Sequence, residues 1–311
     1  MKQSQSTTAV FMVEPTTFGF DEQTAVTNAF QHKTNESQTA IQQAAAEEFK
    51  TLVATLQKHN IEVILFRDKP LPAKPNAVFP NNWLSTWPDG TVFTYPMATP
   101  SRRAERSQAA LDMLRSSFDI EKVVDLSSSE QNGQFLESTG TIVFDHSNKI
   151  AYACLSSRCD GQLFTKHAQQ LGYKPLAFHA FDQAGTPIYH TNLELAVQTT
   201  TAVVCLETIQ NTAERKQVLE SLEQTGHTVI PITQKQLDAY CANVLEVRST
   251  DGQSFLLLSQ SAYDAFAPQQ REMLANDKTL LPVALPTIQE IGGGSARCMV
   301  AEIFLPRLTS P

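Results

Sequence analysis

The chain has 311 residues, of which 41% are hydrophobic and 18% charged, an ordinary composition for a globular protein. Its formal net charge of -8 argues against a surface for nucleic acid or for an anionic membrane. No apolar run approaches the length of a membrane span, and the first residues lack the apolar core of a signal peptide. We therefore expect a cytoplasmic protein that does not associate with membranes.

The cysteine content argues against a structural metal. The chain has five cysteines, an odd number, at positions 154, 159, 205, 241 and 298. No C-x-x-C pair occurs, and no histidine lies at zinc-ligand spacing from a cysteine pair. The pattern is typical of reduced thiols in a cytosol, and we expect neither a metal ion nor an organic cofactor.

Hydrophobic periodicity predicts a recurring unit along the chain. A buried strand at 9–13, a helix at 37–59 and a strand at 61–66 come first. From residue 79 a unit of strand, turn, strand, helix and strand recurs, which makes about five copies with a period on the order of 50 residues. The predicted strands and helices of the complete copies are 79–85, 91–95, 101–116 and 122–126; 134–145, 150–155, 161–171 and 175–178; 188–198, 202–206, 212–225 and 228–232; 244–247, 254–258, 262–274 and 279–284. The last copy begins at Arg297, continues as a strand through 299–305, and ends with the three N-terminal elements.

These units predict a five-bladed α/β propeller. Each copy is too small to bury its own apolar face, whereas radial stacking buries it and leaves a central mouth. No linker interrupts the series, so we expect one domain over 1–311. A doubly wound α/β sheet is the alternative. It is disfavoured because the hairpins imply antiparallel pairing and no G-x-G-x-x-G follows the first strands.

Polar residues recur near the starts of several units, and a radial fold would bring them together. They are Asn81 and Asn82, Glu137, His190 and Asn192, and Cys298, which follows the glycines at 292–294. Glycines let the backbone approach another group closely, so the thiol could lie at the lip of a cavity. A histidine can move protons near neutral pH, and a carboxylate can hold its tautomer. Each residue alone has a plainer interpretation, such as a buried structural thiol or a turn asparagine.

The same segments resemble the guanidine-modifying superfamily of arginine deiminases, dimethylarginine hydrolases and amidinotransferases. The resemblance spans nearly the whole chain and rests on Phe79-x-x-Asn82, Leu136-Glu137, Ser156-Ser157-Arg158, His190-x-Asn192 and the glycine run into Cys298. It is closest to the citrulline ureidase branch. It implies a five-bladed α/β propeller in which Cys298 is the nucleophile, His190 the general acid and base, and Glu137 their partner.

Two departures from the arginine-directed relatives concern the substrate. Those relatives carry aspartates at the positions of Asn82 and Asn192, where carboxylates clamp a cationic guanidinium. A neutral amide pair suits a neutral ureido group instead, since an amide can donate to the ureido oxygen and accept from a ureido N–H. Ser138-Thr139 in place of a glycine pair and Cys159 in place of a threonine are further departures, which weaken the fit.

The resulting hypothesis is hydrolysis of citrulline to ornithine, ammonia and CO2 through an S-carbamoyl intermediate on Cys298. Asn81, Asn82, Asn192 and Phe79 would bind the substrate, an amino acid, and Arg158 would hold its carboxylate. Arg297 is a weaker candidate for that role. Hydrolysis or transfer on a cationic guanidino substrate, and a non-catalytic propeller, are the alternatives; a papain-like protease is disfavoured because the cysteine comes last. The oligomeric state is open, with a homodimer among the options.

Overall fold

In the computed structural model, which describes residues 4–308, the strands form five separate sheets of three strands each. The fold is therefore mixed α/β. The strands are β1 Ala9–Val13, β2 Glu62–Phe66, β3 Leu84–Thr86, β4 Thr91–Thr94, β5 Lys122–Asp125, β6 Val143–Asp145, β7 Ile150–Cys154, β8 Lys174–Phe178, β9 Leu195–Val197, β10 Thr201–Val204, β11 Thr228–Pro231, β12 Leu245–Arg248, β13 Ser254–Ser259, β14 Thr279–Val283 and β15 Ala301–Ile303.

Every sheet repeats one pattern of pairing. The middle strand is antiparallel to one neighbour, across a hairpin in four of the sheets, and parallel to the other. The sheet β15–β1–β2 joins the two ends of the chain, with Ala9 opposite Ile303 in the antiparallel pair and opposite Glu62 in the parallel pair. The predicted unit and its completion by the N-terminal elements are confirmed. One continuous doubly wound sheet is excluded.

The helices connect the strands of each unit. They are α1 Glu22–Ala25, α2 Gln38–Lys58, α3 Pro100–Arg103, α4 Gln108–Arg115, α5 Ser138–Thr141, α6 Gly161–Gln170, α7 Thr212–Gln224, α8 Gln234–Asp238, α9 Gln260–Ala265, α10 Pro268–Leu274 and α11 Pro286–Gly292. The longest, α2, begins where the Ser37 side chain accepts from Ala40 N and buries Phe49 and Leu52 against the core. Each such side chain contributes about 1.5–3 kcal/mol of burial free energy. No helix of the described residues is both long and apolar enough to cross a membrane.

Two predicted helices are each divided in two. The helix predicted over 101–116 is α3 and α4, because Ser107 caps a new helix through Ala110 N. The helix predicted over 262–274 is α9 and α10, because Pro268 cannot continue a helix and begins the next one instead. Helices α8 and α11 were not predicted.

The largest correction concerns the starts of the units. The segments predicted as strands begin with a short helical turn, and only three strand residues follow. The turns are the 3-10 helices Pro80–Asn82, Thr191–Leu193 and Ala296–Met299, together with α5. Asparagine, serine and threonine favour such turns because their side chains compete for backbone hydrogen bonds. The predicted polar residues therefore lie in turns or at turn starts.

Hydrogen bonds at these starts join each sheet to the next. Four of them run between consecutive units, and a fifth joins the last sheet to the first. They run from Ser138 Oγ to Leu84 O (3.0 Å), from Thr191 Oγ1 to Thr141 O (2.6 Å), from Asn243 Nδ2 to Asn192 O (2.9 Å), from Arg297 N to Asn243 Oδ1 (3.1 Å) and from Thr86 Oγ1 to Glu302 O (3.0 Å). Residues distant in sequence thus meet at one place.

Candidate active site

Cys298 lies in the turn Ala296–Met299, between α11 and β15, and is 4% exposed. It borders a small cavity whose lining includes Phe79, Asn82, Arg102, Arg158 and His190. The centre of a water molecule can occupy a volume of only about 10 Å³ inside this cavity. That is space for a single water, so an amino acid enters only after part of the wall moves.

The three glycines before the thiol bring the backbone close to side chains of other units. Gly293 ends α11 in the left-handed conformation, with φ of 62°. A Cβ on Gly292 or on Gly294 would lie 2.8 or 2.9 Å from the Phe79 ring. The glycine run therefore lies close against Phe79, which forms part of the cavity wall.

His190 and Glu137 form a buried pair, as predicted. His190 Nε2 lies 2.7 Å from Glu137 Oε2, and both side chains are at most 4% exposed. Burial lowers the pKa of His190 to about 4, although the hydrogen bond to Glu137 and its charge favour the cation. The imidazole is therefore neutral at pH 7. Because a carboxylate accepts the Nε2–H, the basic lone pair is on Nδ1.

Glu137 is ionised despite its complete burial. Burial alone would raise its pKa, but the charge of Arg158, the hydrogen bond and charge of His190 and the charge of Arg102 together hold the pKa well below the usual range. The guanidinium nitrogens lie 3.6 Å (Arg158) and 3.8 Å (Arg102) from Oε2, and Ala98 N donates to Oε1 at 3.0 Å. The carboxylate is thus fully engaged by protein groups.

The Asn82 amide lies beside the imidazole. Its Oδ1 accepts from Arg102 Nη1 at 2.7 Å, so Nδ2 faces the other way, where it has no partner among the described residues. Gly140 makes this approach possible, since a Cβ there would lie 2.9 Å from His190 Nδ1 and closer still to Asn82 Nδ2. The unpaired donor Asn82 Nδ2 and the unprotonated ring nitrogen His190 Nδ1 therefore lie close together.

Asn192 lies beside the sulfur. Its Nδ2 is 3.6 Å from Cys298 Sγ, while its Oδ1 is buried without a partner within the described part of the chain. Asn192 also borders a second cavity, which includes Arg297 and Glu302. The structure thus places the Asn192 amide against the Cys298 thiol.

Arg158 reaches the cavity, and its Nε and Nη2 are hydrogen-bonded to protein groups in this structure. Its Nη2 donates to Thr24 O at 3.0 Å and to Thr27 Oγ1 at 2.8 Å, and the guanidinium lies 4.6 Å from the centre of the Tyr189 ring. The bonds to Thr24 and Thr27 tie it to the segment 18–32, which covers the cavity. Nη1 makes an ion pair with Glu137 at 3.6 Å and no hydrogen bond among the described residues.

Four predicted residues do not line the cavity, namely Asn81, Glu137, Asn192 and Arg297. Glu137 and Asn192 contact residues that do line it, whereas Asn81 and Arg297 are directed elsewhere. Asn81 is completely buried, but it does not line the cavity, and neither of its amide atoms has a partner among residues 4–308. Arg297 donates to Val300 O at 2.9 Å and pairs with Glu302 at 2.8 Å on the side of the second cavity. Consecutive residues in these turns point in different directions, so Asn82 and Cys298 reach the cavity and their neighbours do not.

Three features of the site escaped the sequence interpretation. Asn243 contacts the sulfur, Arg102 holds Asn82, and Asn28 donates at 3.4 Å to the carbonyls of Gly292 and Gly293. Asn243 was the one that could have been found, because it precedes β12 as the other polar residues precede their strands. Nothing in the sequence around Arg102 or Asn28 distinguishes them.

Comparison with known proteins defines the class. The model of the family described as N,N dimethylarginine dimethylhydrolase, eukaryotic, matches residues 14–305, nearly the whole chain. The family is named for a hydrolase that acts on a carbon–nitrogen bond other than a peptide bond. The chain belongs to this dimethylarginine hydrolase family, and the predicted membership in the guanidine-modifying superfamily is confirmed. No curated protein sequence matches the chain.

Solved structures share the fold at low sequence identity. ArgZ, an arginine dihydrolase from the ornithine-ammonia cycle in cyanobacteria, superimposes with a TM-score of 0.73 at 15% identity; the match covers 97% of this chain and 41% of ArgZ. The N-terminal domain of ArgZ, as a cysteine-to-serine mutant bound to substrate, gives 0.73 at 14% identity over 96% and 99% of the two chains. A dimethylarginine dimethylaminohydrolase variant carrying an S-methyl-L-thiocitrulline adduct gives 0.63 at 13% identity over 94% and 98%.

Proposed function

We propose that the protein hydrolyses the ureido group of citrulline to give ornithine, ammonia and CO2, with Cys298 as the nucleophile. The observation that carries this proposal is the charge of the cavity. Two arginines line it, and no carboxylate of the described residues does. The nearby carboxylate, Glu137, is already engaged by His190, Arg158 and Arg102.

A cationic guanidinium has no counter-ion in such a cavity, and burying an unpaired charge is costly. A neutral ureido group needs only hydrogen bonds. Asn82 Nδ2, at the cavity, is an unpaired donor for the ureido oxygen. Asn192 Oδ1 is also unpaired, but Asn192 borders the second cavity and approaches the site through the Cys298 sulfur. Phe79 provides an apolar wall for the aliphatic part of the substrate.

The reaction has two steps in this proposal. Neutral His190 takes the thiol proton at Nδ1, and the sulfur attacks the ureido carbon to form an S–C bond. Amide N–H groups of Asn82 and Asn192 stabilise the oxyanion, and Glu137 stabilises the imidazolium. His190 then protonates the nitrogen of the breaking C–N bond, and ornithine leaves.

The second step releases the carbamoyl group. Water, deprotonated by His190, attacks the S-carbamoyl carbon; the C–S bond breaks, and the sulfur recovers its proton from the imidazolium. Carbamate leaves and decomposes to ammonia and CO2. When the substrate enters, the segment 18–32 moves away, and the hydrogen bonds from Arg158 to Thr24 and Thr27 break. The Arg158 guanidinium then binds the substrate carboxylate.

Arginine is the second candidate substrate. The family is named for dimethylarginine, and a related fold, AgrE, has been solved as a complex with L-arginine. The test is to supply the purified protein with citrulline, arginine or dimethylarginine and to measure ornithine, citrulline and ammonia. We expect ornithine and ammonia from citrulline at a higher kcat/KM than any product from arginine, and the reverse order would overturn the substrate assignment.

The nucleophile is tested separately. Cys298→Ala should lower kcat by roughly 10³-fold or more, and mass spectrometry of the turning-over enzyme should find a carbamoyl group on Cys298. Cys159→Ala is the matched control, because this thiol is also buried but outside the cavity. Full activity of Cys298→Ala would refute the mechanism.

We further infer that the five sheets stand around one axis as a five-bladed α/β propeller, within one domain over 1–311. The support is the closed series of hydrogen bonds that joins each sheet to the next. Residues 1–3 and 309–311 lie outside the described residues. One cooperative unfolding transition is expected, and two separate transitions would contradict a single domain. A homodimer stays a prediction.

A further inference from the structure

Asn243 occupies the start of the fourth unit, immediately before Val244 and β12. It is completely buried. The other four units bring Asn82, Glu137, His190 with Asn192, and Cys298 to the same place in the fold. Asn243 is therefore the fourth unit's contribution to this ring of polar side chains.

The orientation of the Asn243 amide is set by two backbone groups. Arg297 N, an obligatory donor, approaches Oδ1 at 3.1 Å, and Asn192 O, an obligatory acceptor, lies 2.9 Å from Nδ2. Reversing the amide would place donor against donor and acceptor against acceptor. One N–H of Nδ2 is used by Asn192 O, and the other is left for Cys298 Sγ, 3.3 Å away.

We propose that Asn243 is a further catalytic residue, whose amide N–H donates to the Cys298 sulfur and stabilises it as a thiolate. A hydrogen bond to the charged form of a group favours that form. No positive side chain makes a hydrogen bond to the sulfur among the described residues, since Arg297 is paired with Glu302 instead. The Asn243 N–H lies closer to the sulfur than that of Asn192, at 3.3 Å against 3.6 Å.

The same amide fixes the distance between two turns. It bonds the turn that follows His190, through Asn192 O, and the turn that carries Cys298, through Arg297 N. Reacting groups have to be held within a fraction of an ångström for efficient attack. Asn243 thus stabilises the negative charge on the Cys298 sulfur and also holds the sulfur in position relative to His190.

This inference rests on the proposed nucleophilic role of Cys298, so its test does not depend on turnover alone. The rate of alkylation of Cys298 by iodoacetamide is measured against pH, with the labelled peptide identified by mass spectrometry. Asn243→Asp keeps the acceptor for Arg297 N but removes the donor at the sulfur. Asn243→Ala removes both groups without adding a charge, and it remains useful if the buried aspartate prevents folding. Asn132→Asp, at an exposed position, is the matched control.

We expect the pH midpoint of alkylation to rise by about one unit in both Asn243 variants, and kcat for citrulline to fall about 10- to 100-fold with KM nearly unchanged. The control should match the parent protein. Folded Asn243 variants with an unchanged midpoint and kcat within about twofold would overturn the inference. Failure of the proposed function has a different signature, namely activity that survives in Cys298→Ala.

Discussion

Glu137 and Glu194 are buried to almost the same degree, at 0% and 1% exposure, yet they carry different charges at neutral pH. Two arginines and the His190 N–H hold the pKa of Glu137 well below its usual range. Burial raises the pKa of Glu194 to about 8, because hydrogen bonds from Thr208 and Cys154 offset the lost hydration only in part. Glu137 is therefore an anion and Glu194 a neutral acid.

The difference lies in the partners, since both carboxyls are removed from water. A buried carboxylate stays ionised only where positive groups replace its hydration. Around Glu137 the guanidinium nitrogens of Arg158 and Arg102 lie at 3.6 and 3.8 Å, and the N–H of neutral His190 donates at 2.7 Å. Glu194 has only neutral donors, among them Thr208 Oγ1 at 2.8 Å. An anion beside His190 can stabilise an imidazolium. A neutral acid in the apolar core has no such effect, so the comparison separates a catalytic carboxyl from a structural one.

Removing the charge of Glu137 should have the largest effect. Glu137→Gln leaves Arg102 and Arg158 without their shared anion and His190 without its acceptor. We expect kcat to fall by roughly 10³-fold or more, and the free energy of unfolding in urea to drop by about 3 kcal/mol. The exposed Glu272→Gln is the control. Activity within tenfold of the parent would remove Glu137 from the mechanism.

A smaller effect is expected from displacing His190 while Glu137 keeps its charge. Gly140→Ala places a methyl group 2.9 Å from His190 Nδ1, so the ring and the Asn82 amide have to shift. We expect kcat to fall about 10- to 100-fold and the free energy of unfolding to fall by about 1–3 kcal/mol. The exposed Gly185→Ala is a poor control because of its φ of 80°, so exposed Ser128→Ala serves instead. An unchanged kcat would mean that the site tolerates a displaced histidine.

The fold was largely predictable because its signals are local. Alternating apolar strands, turn residues and amphipathic helices recur in each unit, and their order alone implies hairpins followed by crossovers. The errors fall where local signals are short or interrupted. Helices α8 and α11 have five and seven residues, too few for a clear periodicity, and Pro268 divides an otherwise continuous apolar pattern.

The site was predictable in part. Cys298, His190 and Glu137 carry reactive groups at matching points of the unit, and the structure brings them around one cavity. Asn243 lies at the matching point of the fourth unit but carries an unreactive amide, and a single asparagine among apolar residues is more often a turn residue. Arg102 depends on its tertiary contact with Asn82 at 2.7 Å, which no spacing in the sequence reveals.

The neutral state of His190 predicts a loss of stability in acid. The pKa of His190 is about 4 in the folded chain, against about 6.5 when it is unfolded. Between these values the unfolded state binds the extra proton, so stability falls as the pH falls, by about 1.4 kcal/mol per unit. His190→Asn should lack this contribution. The unfolding free energy of the parent minus that of the variant should therefore decrease steadily as the pH is lowered from 6.5 to 4. A difference that is independent of pH would contradict a buried neutral histidine.

Glu194 predicts the opposite slope and no change in activity. Its pKa is about 8 in the folded chain and near 4.5 when unfolded, so between these values the folded state holds the extra proton. Stability therefore falls as the pH rises through this window, by about 1.4 kcal/mol per unit from this group. Glu194→Gln mimics the neutral acid. The unfolding free energy of this variant should therefore rise relative to that of the parent as the pH increases from 4.5 to 8. Its kcat should stay within about twofold, because the partners of this carboxyl are Thr208 and Cys154 and not His190. If the unfolding free energies of parent and variant instead changed with pH in the same way, Glu194 would be ionised as Glu137 is. The two carboxyls would then differ only in their positions in the fold.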